Sequence, residues 1–97
     1  MEHHERVFSP SPGAARAARE FLRDVLATQR MDGFGEVTEL LTTELVSNVV
    51  DHVGSVITVR VDASAGSLRV EVDASAERVR LDAVQGALSL RKLSRAV

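Results

Sequence analysis

Glu44 and Asn48 are the residues of this sequence whose types and spacing point most directly to chemistry. They stand four positions apart in "TTELVSNVVDH" (residues 42–52), a segment with the composition of a helix. At about 100° per residue, both side chains fall on one ridge of that helix, among Leu40, Leu41 and Leu45. A carboxylate buried among apolar side chains is costly unless it is paired or faces a polar cavity. We therefore expect this ridge to border a pocket.

The same spacing has a simpler interpretation, in which this edge of the helix is exposed and Glu44 and Asn48 are an ordinary surface pair. His52 continues the line one turn further. A single histidine at the end of a helix more often packs or caps than binds a ligand. His3 and His4 form no metal-binding set with His52 that the sequence supports. The spacing alone leaves both interpretations open.

Composition narrows the class of protein before any motif is considered. The chain has 97 residues, no cysteine and a formal net charge of −2. This length predicts one small domain, and the absence of cysteine excludes disulfides and thiolate metal sites. No run of apolar residues is long enough to span a membrane, and the first residues lack the apolar core of a secretory signal. We expect a cytoplasmic domain that binds neither nucleic acid nor membrane.

Apolar periodicity divides the sequence into strands and helices that must position Glu44 and Asn48. After a short strand at residues 6–8, helical spacing predicts one helix over residues 14–30 and a second from residue 34 or 35 to 53. The apolar face predicted for the first helix consists of Ala14, Ala18, Phe21, Leu22, Val25 and Leu26. "SVITVRVD" and "SLRVEVD" alternate and are joined by a turn, which predicts an antiparallel hairpin. A third helix is expected from about Asp82 to Arg95. The predicted fold is α+β, a two-layer sandwich with about three helices on one face of a small, mostly antiparallel sheet.

The order of these elements and their sequence motifs resemble those of a known family. "FSPSPGAARAAREFLRDVL", then "ELLTTELVSNVVDH", then a hairpin ending in "LRVEVDAS" are similar to the anti-sigma-factor serine kinases. This family is a branch of the GHKL ATPases (gyrase, heat-shock chaperone, histidine kinase, MutL). The resemblance covers about residues 7 to 75 and implies a single histidine-kinase-like ATPase domain with a truncated Bergerat-type ATP-binding fold.

The resemblance assigns roles to four residues. In the family, the glutamate matched by Glu44 acts as a base, and the asparagine matched by Asn48 holds a magnesium ion on the nucleotide phosphates. Magnesium prefers oxygen ligands, and phosphoryl transfer depends chiefly on positioning and charge neutralisation. Asp73 corresponds to the aspartate that accepts a hydrogen bond from adenine, but it stands one residue early. This offset could aim its carboxylate to the other face of the strand, or a compensating bulge or deletion could restore it to the pocket. Gly86 in "GALSL" is what remains of the glycine motif that binds phosphate, or part of a plain amphipathic helix.

The departures from the family pattern decide the predicted function. The segment after the hairpin is too short for the family's lid, and the C-terminal strands are expected to be reduced or missing. We expect a regulatory domain that acts by protein binding, with weak or absent turnover of Mg-ATP. The alternative is an active ATP-dependent serine kinase that phosphorylates an anti-anti-sigma protein. The expected partners are a sigma factor or an anti-anti-sigma protein, and the chain is expected to be a homodimer or to depend on its partner.

Overall fold

The fold consists of two helices and a five-stranded antiparallel sheet, as seen in a computed structural model that describes residues 2–28, 35–64, 66–75, 77–84 and 87–94. The helices are α1 (Ala14–Ala27) and α2 (Gly35–His52). Neither of these helices combines the length and the apolar character that a membrane span requires. The strands are β1 (Glu2–Phe8), β2 (Ile57–Ser64), β3 (Ser67–Ala74), β4 (Glu77–Val84) and β5 (Ala87–Ser94). The predicted α+β class is confirmed.

The strands lie in the spatial order β1-β2-β3-β4-β5, and every neighbouring pair is antiparallel. The predicted hairpin is formed by β2 and β3, in a register that places Val59 opposite Val72 and Val61 opposite Val70. Its turn contains Gly66 at φ +74°, a backbone conformation that glycine adopts at little cost. β1 and β5 are the two outer strands of the sheet.

One face of the sheet packs against both helices to form a single core. Alternate residues of the strands point to this face, because side chains alternate along a strand. The buried strand residues include Ile57, Val59, Val61, Leu68, Val70, Val72, Leu81 and Ala83. From α1 the core receives Ala14, Ala18, Phe21, Leu22, Val25 and Leu26, which are the apolar positions that the helical periodicity of the sequence predicts. We call this side the core face of the sheet.

The third helix predicted over residues 82–95 is wrong for the part of it that the structure describes. Residues 82–84 belong to β4 and residues 87–94 form β5. In "ERVRLDAV" charged and apolar residues alternate, and pairing with β3 lets Leu81 and Ala83 join the core while Arg80 and Asp82 face the opposite side. A strand satisfies this period of two and a helix does not. The shortening of the chain relative to the family it resembles is a separate prediction that these strands do not test.

α2 buries a different face from the one expected. Its buried residues are Thr38, Thr42, Val46 and Val49. Apolar residues surround most of this helix, so its sequence does not define one apolar stripe. The hydroxyl oxygens of Thr38 and Thr42 are fully buried, and neither has a hydrogen-bond partner among the described residues.

These unpaired hydroxyls predict a stabilising substitution, Thr42→Val. Valine has nearly the shape of threonine and keeps the β-branch, but it removes a buried polar atom that has no partner among the described residues. We expect the free energy of unfolding to rise by about 1 kcal/mol, which corresponds to roughly 5 °C in the melting temperature. Thr43→Val is the matched control, because the Thr43 hydroxyl donates a hydrogen bond to the Glu39 carbonyl at 2.7 Å and its loss brings no gain. Thermal unfolding followed by circular dichroism compares the melting temperatures of the two variants with that of wild type. A Thr42→Val variant that melts below wild type contradicts the placement of the Thr42 hydroxyl in an apolar environment.

Candidate functional site

Glu44 and Asn48 lie on the solvent side of α2, away from the sheet. Both are exposed, and they form an outer stripe of the helix together with Val37, Leu40 and Asp51. The expectation that the pair points into the apolar side of α2 is therefore wrong, because the buried side is the one that carries Thr42 and Val46. Side chains one turn apart still share a ridge, so the two oxygen-bearing groups remain neighbours.

Two surface cavities lie beside this stripe. One, of about 240 Å³, is formed where α1 meets the first half of α2, and its lining is Arg19, Arg23, Glu36, Glu39, Leu40 and Thr43. The other, also about 240 Å³, lies near the start of α1 and is lined by Pro12, Ala15, Ser47, Val50 and Asp51. Glu44 and Asn48 line neither of these two cavities. The carboxylate of Glu39 in the first cavity accepts two hydrogen bonds from Arg23, at 2.8 and 3.1 Å.

Asp73 occupies the opposite side of the molecule from Glu44 and Asn48. Its strand neighbours Val72 and Ala74 belong to the core, so Asp73 points to the face of the sheet that the helices do not cover. The residue is nevertheless only 3% exposed. Its Oδ2 atom accepts hydrogen bonds from Arg60 at 3.2 Å and from Arg78 at 3.1 Å. The structure therefore does not bring Asp73 together with Glu44 and Asn48.

The helix-free side of the sheet is a surface of alternating charges, which we call the charged face. Its members are His3, Glu5, Arg60, Asp62, Arg69, Glu71, Asp73, Arg78, Arg80 and Asp82. Opposite charges stand across from one another on neighbouring strands, an arrangement that stabilises sheets. The contacts include His3 to Asp62 at 2.5 Å, Arg60 to Glu5 at 2.7 Å and Arg69 to Asp82 at 2.8 Å.

These contacts raise the pKa of two arginines, Arg60 and Arg69. The hydrogen bond to Asp73 is the main reason that the pKa of Arg60 is raised above its ordinary value, and Asp82 raises the pKa of Arg69 in the same way. A raised pKa means that the stabilisation is fully present below the ordinary value and is lost only as the pH rises through the folded one. That window lies in strong alkali, so these two arginines contribute no pH dependence to stability near neutrality.

The sequence did not identify Arg60 and Arg78 as the hydrogen-bond partners of Asp73. The alternation in "VRVD", "LRVEVD" and "ERVRLD" carries the signal, since it predicts charged residues on one face of three consecutive strands. Arg78 was missed because the strand that carries it was not recognised. Gly86 lies outside the described residues. His52 is exposed at the end of α2, and within the described parts of the chain no three histidine, aspartate or glutamate side chains are grouped to hold a metal.

The fold and these surfaces define a small α+β domain whose sheet is covered by helices on one face and by ion pairs on the other. No protein-family model, curated protein or solved structure matches the chain. The resemblance to anti-sigma-factor serine kinases therefore rests on its sequence motifs.

Proposed function

We propose that this chain is a regulatory domain related to the anti-sigma-factor serine kinases, with a truncated Bergerat-type fold, that acts by binding a protein. In this proposal its partner is a sigma factor or an anti-anti-sigma protein, and it turns over ATP weakly or not at all. The observation that carries the proposal is the separation of Asp73 from Glu44 and Asn48.

This separation argues against a complete nucleotide site. The two groups are divided by the sheet and by α2 itself, whose diameter alone is about 10 Å. The carboxylate of Asp73 already accepts hydrogen bonds from two arginines, so an adenine amino group would have to displace them. Phosphoryl transfer requires the nucleotide to be held and aligned by groups that converge on it.

The outer stripe of α2 supports the protein-binding part of the proposal. Leu40 is 60% exposed and Val37 is 43% exposed, and Glu44 and Asn48 follow them on the same side of the helix. Exposed apolar side chains next to polar groups are the usual composition of a protein-binding helix, which docks its partner through residues at positions i, i+3 and i+7. Leu40 is the natural centre of such a contact.

An active kinase is the second candidate. It is favoured by the solvent access of Glu44 and Asn48, which leaves a carboxylate and an amide oxygen free to meet a metal-bound phosphate. In that case Asn48 would hold the magnesium ion and Glu44 would act as the base towards the serine of an anti-anti-sigma protein. The adenine would then need a contact other than Asp73.

Binding of an anti-anti-sigma protein, measured by calorimetry with wild type and Leu40→Glu, tests the proposal. We expect a complex that forms equally with and without Mg-ATP, that leaves the partner unphosphorylated by mass spectrometry, and whose Kd rises at least about tenfold in Leu40→Glu. Val56→Glu adds one carboxylate at another exposed apolar residue, outside α2, and is the control for the added charge. A partner that becomes phosphorylated by wild type and not by Glu44→Ala would establish the kinase alternative instead. A sigma factor is tested in the same way. If neither protein binds, the proposal is contradicted.

A further inference from the structure

β5 is an outer strand of the sheet, and β4 is the one strand that lies beside it among the described residues. One row of its backbone N–H and C=O groups therefore has no strand partner within that part of the chain. Such a row can pair with an extended segment of another protein, which then joins the sheet as a further strand. The residue types along β5 indicate which segment fits.

The charged face changes its pattern of charges at β5. Acidic and basic residues alternate from β1 to β4 in the row Glu5, Arg60, Glu71, Arg80. The next residue of this row is Arg91, which the register places directly opposite Arg80. Directly opposed like charges destabilise a pair of strands. At β5, the row therefore carries two basic residues side by side.

β5 carries a second basic residue next to the first. Lys92 follows Arg91, and the register places it opposite Val79, in a row that belongs to the core face. Successive residues of a strand belong to opposite faces, so each face of the sheet has one basic residue at this edge. The sequence of β5, "ALSLRKLS", contains no aspartate or glutamate. A second copy of β5 would therefore offer a carboxylate to neither basic residue.

An extended segment with two adjacent acidic residues complements both basic residues at once. In an added antiparallel strand, two adjacent residues stand opposite Arg91 and Lys92, and alternation places one carboxylate on each face. Apolar residues on either side of the acidic pair would stand opposite Leu90 and Leu93, and apolar pairs across strands stabilise a sheet. β1, the other outer strand, does not select a segment of one charge, because acidic and basic residues are mixed along it.

We propose that β5 binds an extended acidic segment of a partner protein, which adds to the sheet as an antiparallel strand with two adjacent carboxylates opposite Arg91 and Lys92. The direction of the strand fixes the order of residues in the segment. Read from its N-terminal end, which lies opposite Leu93, the segment is apolar, acidic, acidic, apolar, polar, apolar. β5 shares no residue with the outer stripe of α2, and this inference does not rest on the function proposed above.

A synthetic peptide with the core Val-Glu-Glu-Val-Thr-Val, fluorescently labelled and capped at both ends, tests the proposal in an anisotropy titration with the whole chain. We expect saturable binding that becomes at least about tenfold weaker in Arg91→Glu and in Lys92→Glu. A peptide with two lysines in place of the two glutamates should not bind wild type. It should bind the double variant in which both basic residues of β5 are replaced by glutamate.

Folding is controlled within the same variants. Arg91→Glu places a carboxylate opposite Arg80 in place of a like charge, so its melting temperature should not fall below that of wild type. Binding that is lost in this variant then reports on the contact and not on unfolding. Arg19→Glu makes the same change in net charge on α1 and should leave the Kd of the peptide unchanged.

Methylation of the peptide nitrogens separates strand addition from simple attraction of charges. In an added strand, the N–H groups of alternate peptide residues point to β5, and the others point away from it. N-methylation of one alternate set should abolish binding, while N-methylation of the other set should preserve it. Equal effects of the two sets overturn the proposed strand.

Three further results would overturn the proposal. The first is a wild-type protein that does not bind the peptide at about 1 mM. The second is binding that Arg91→Glu and Lys92→Glu leave unchanged. The third is hydrogen exchange in which the β5 amides of the protein alone are already fully protected and gain nothing from the peptide, since another segment or a second copy would then occupy this edge.

Discussion

Replacing Asp73 by alanine is expected to lower the free energy of unfolding by about 3 kcal/mol, since it removes a buried carboxylate that two arginines share. The carboxylate is almost fully shielded, and its Oδ2 atom accepts hydrogen bonds from both Arg60 and Arg78. Arg60 keeps its contact with Glu5, but Arg78 loses its contact with Asp73 beside a buried Nε that has no hydrogen-bond partner among the described residues. Chemical denaturation followed by circular dichroism measures the change.

Asp82→Ala is the matched control for this prediction. Asp82 lies on the same charged face and also meets two arginines, Arg69 at 2.8 Å and Arg80 at 3.1 Å. Its side chain is 23% exposed, so water can replace part of what is lost. We expect a cost of about 1 kcal/mol. If Asp73→Ala costs no more than Asp82→Ala, the structural role given to Asp73 is contradicted.

The parts of the fold that the sequence predicted well are those with one dominant period. All six predicted apolar positions of α1 are buried, because its apolar residues form a single stripe that ends in charged residues on the other side. The hairpin of β2 and β3 was predicted for the same reason, since apolar residues alternate strictly from Ile57 to Val61 and again from Leu68 to Val72.

The predictions that were wrong concern segments whose apolar residues fit more than one period. α2 has apolar residues on most sides, so the sequence did not determine that Thr42 would face the core and Glu44 the solvent. In the segment after the hairpin, the spacing of Leu88, Leu90 and Leu93 defines neither period clearly, and pairing with β4 makes this segment the strand β5. Tertiary contacts of this kind lie outside any local window of sequence.

The position of Asp73 shows how one residue of offset can change a proposed site. Compared with the family pattern, Asp73 follows Val72 directly, and successive residues of a strand face opposite sides. The sequence left two interpretations open, a carboxylate that faces away from the pocket or one restored to it by a bulge or deletion, and the structure places Asp73 on the charged face. What the sequence did not provide was the pair of arginines that surround it, because one of them lies on the unrecognised strand β4.

The second large effect concerns the nucleotide. If Mg-ATP binds, we expect a Kd of about 1 mM or weaker, with Asn48 as the metal ligand. Asn48→Ala should abolish whatever magnesium-dependent binding exists, while Glu44→Ala should leave binding nearly intact, because a base acts on the acceptor and not on ground-state affinity. Asp73→Asn should have no effect on binding, since residue 73 faces the opposite side of the sheet; this variant keeps the shape of the side chain and is checked for folding by circular dichroism.

Titration calorimetry of the wild-type protein with ATP, with and without magnesium, tests the central claim most directly. The claim is that Asp73 and the pair Glu44 and Asn48 do not form one nucleotide site. It predicts weak or undetectable heat, and any heat that appears should require magnesium and persist in Asp73→Asn. Micromolar binding of Mg-ATP that is lost in both Asp73→Asn and Asn48→Ala, with both variants folded, would show that the three residues act on one ligand and would contradict the account.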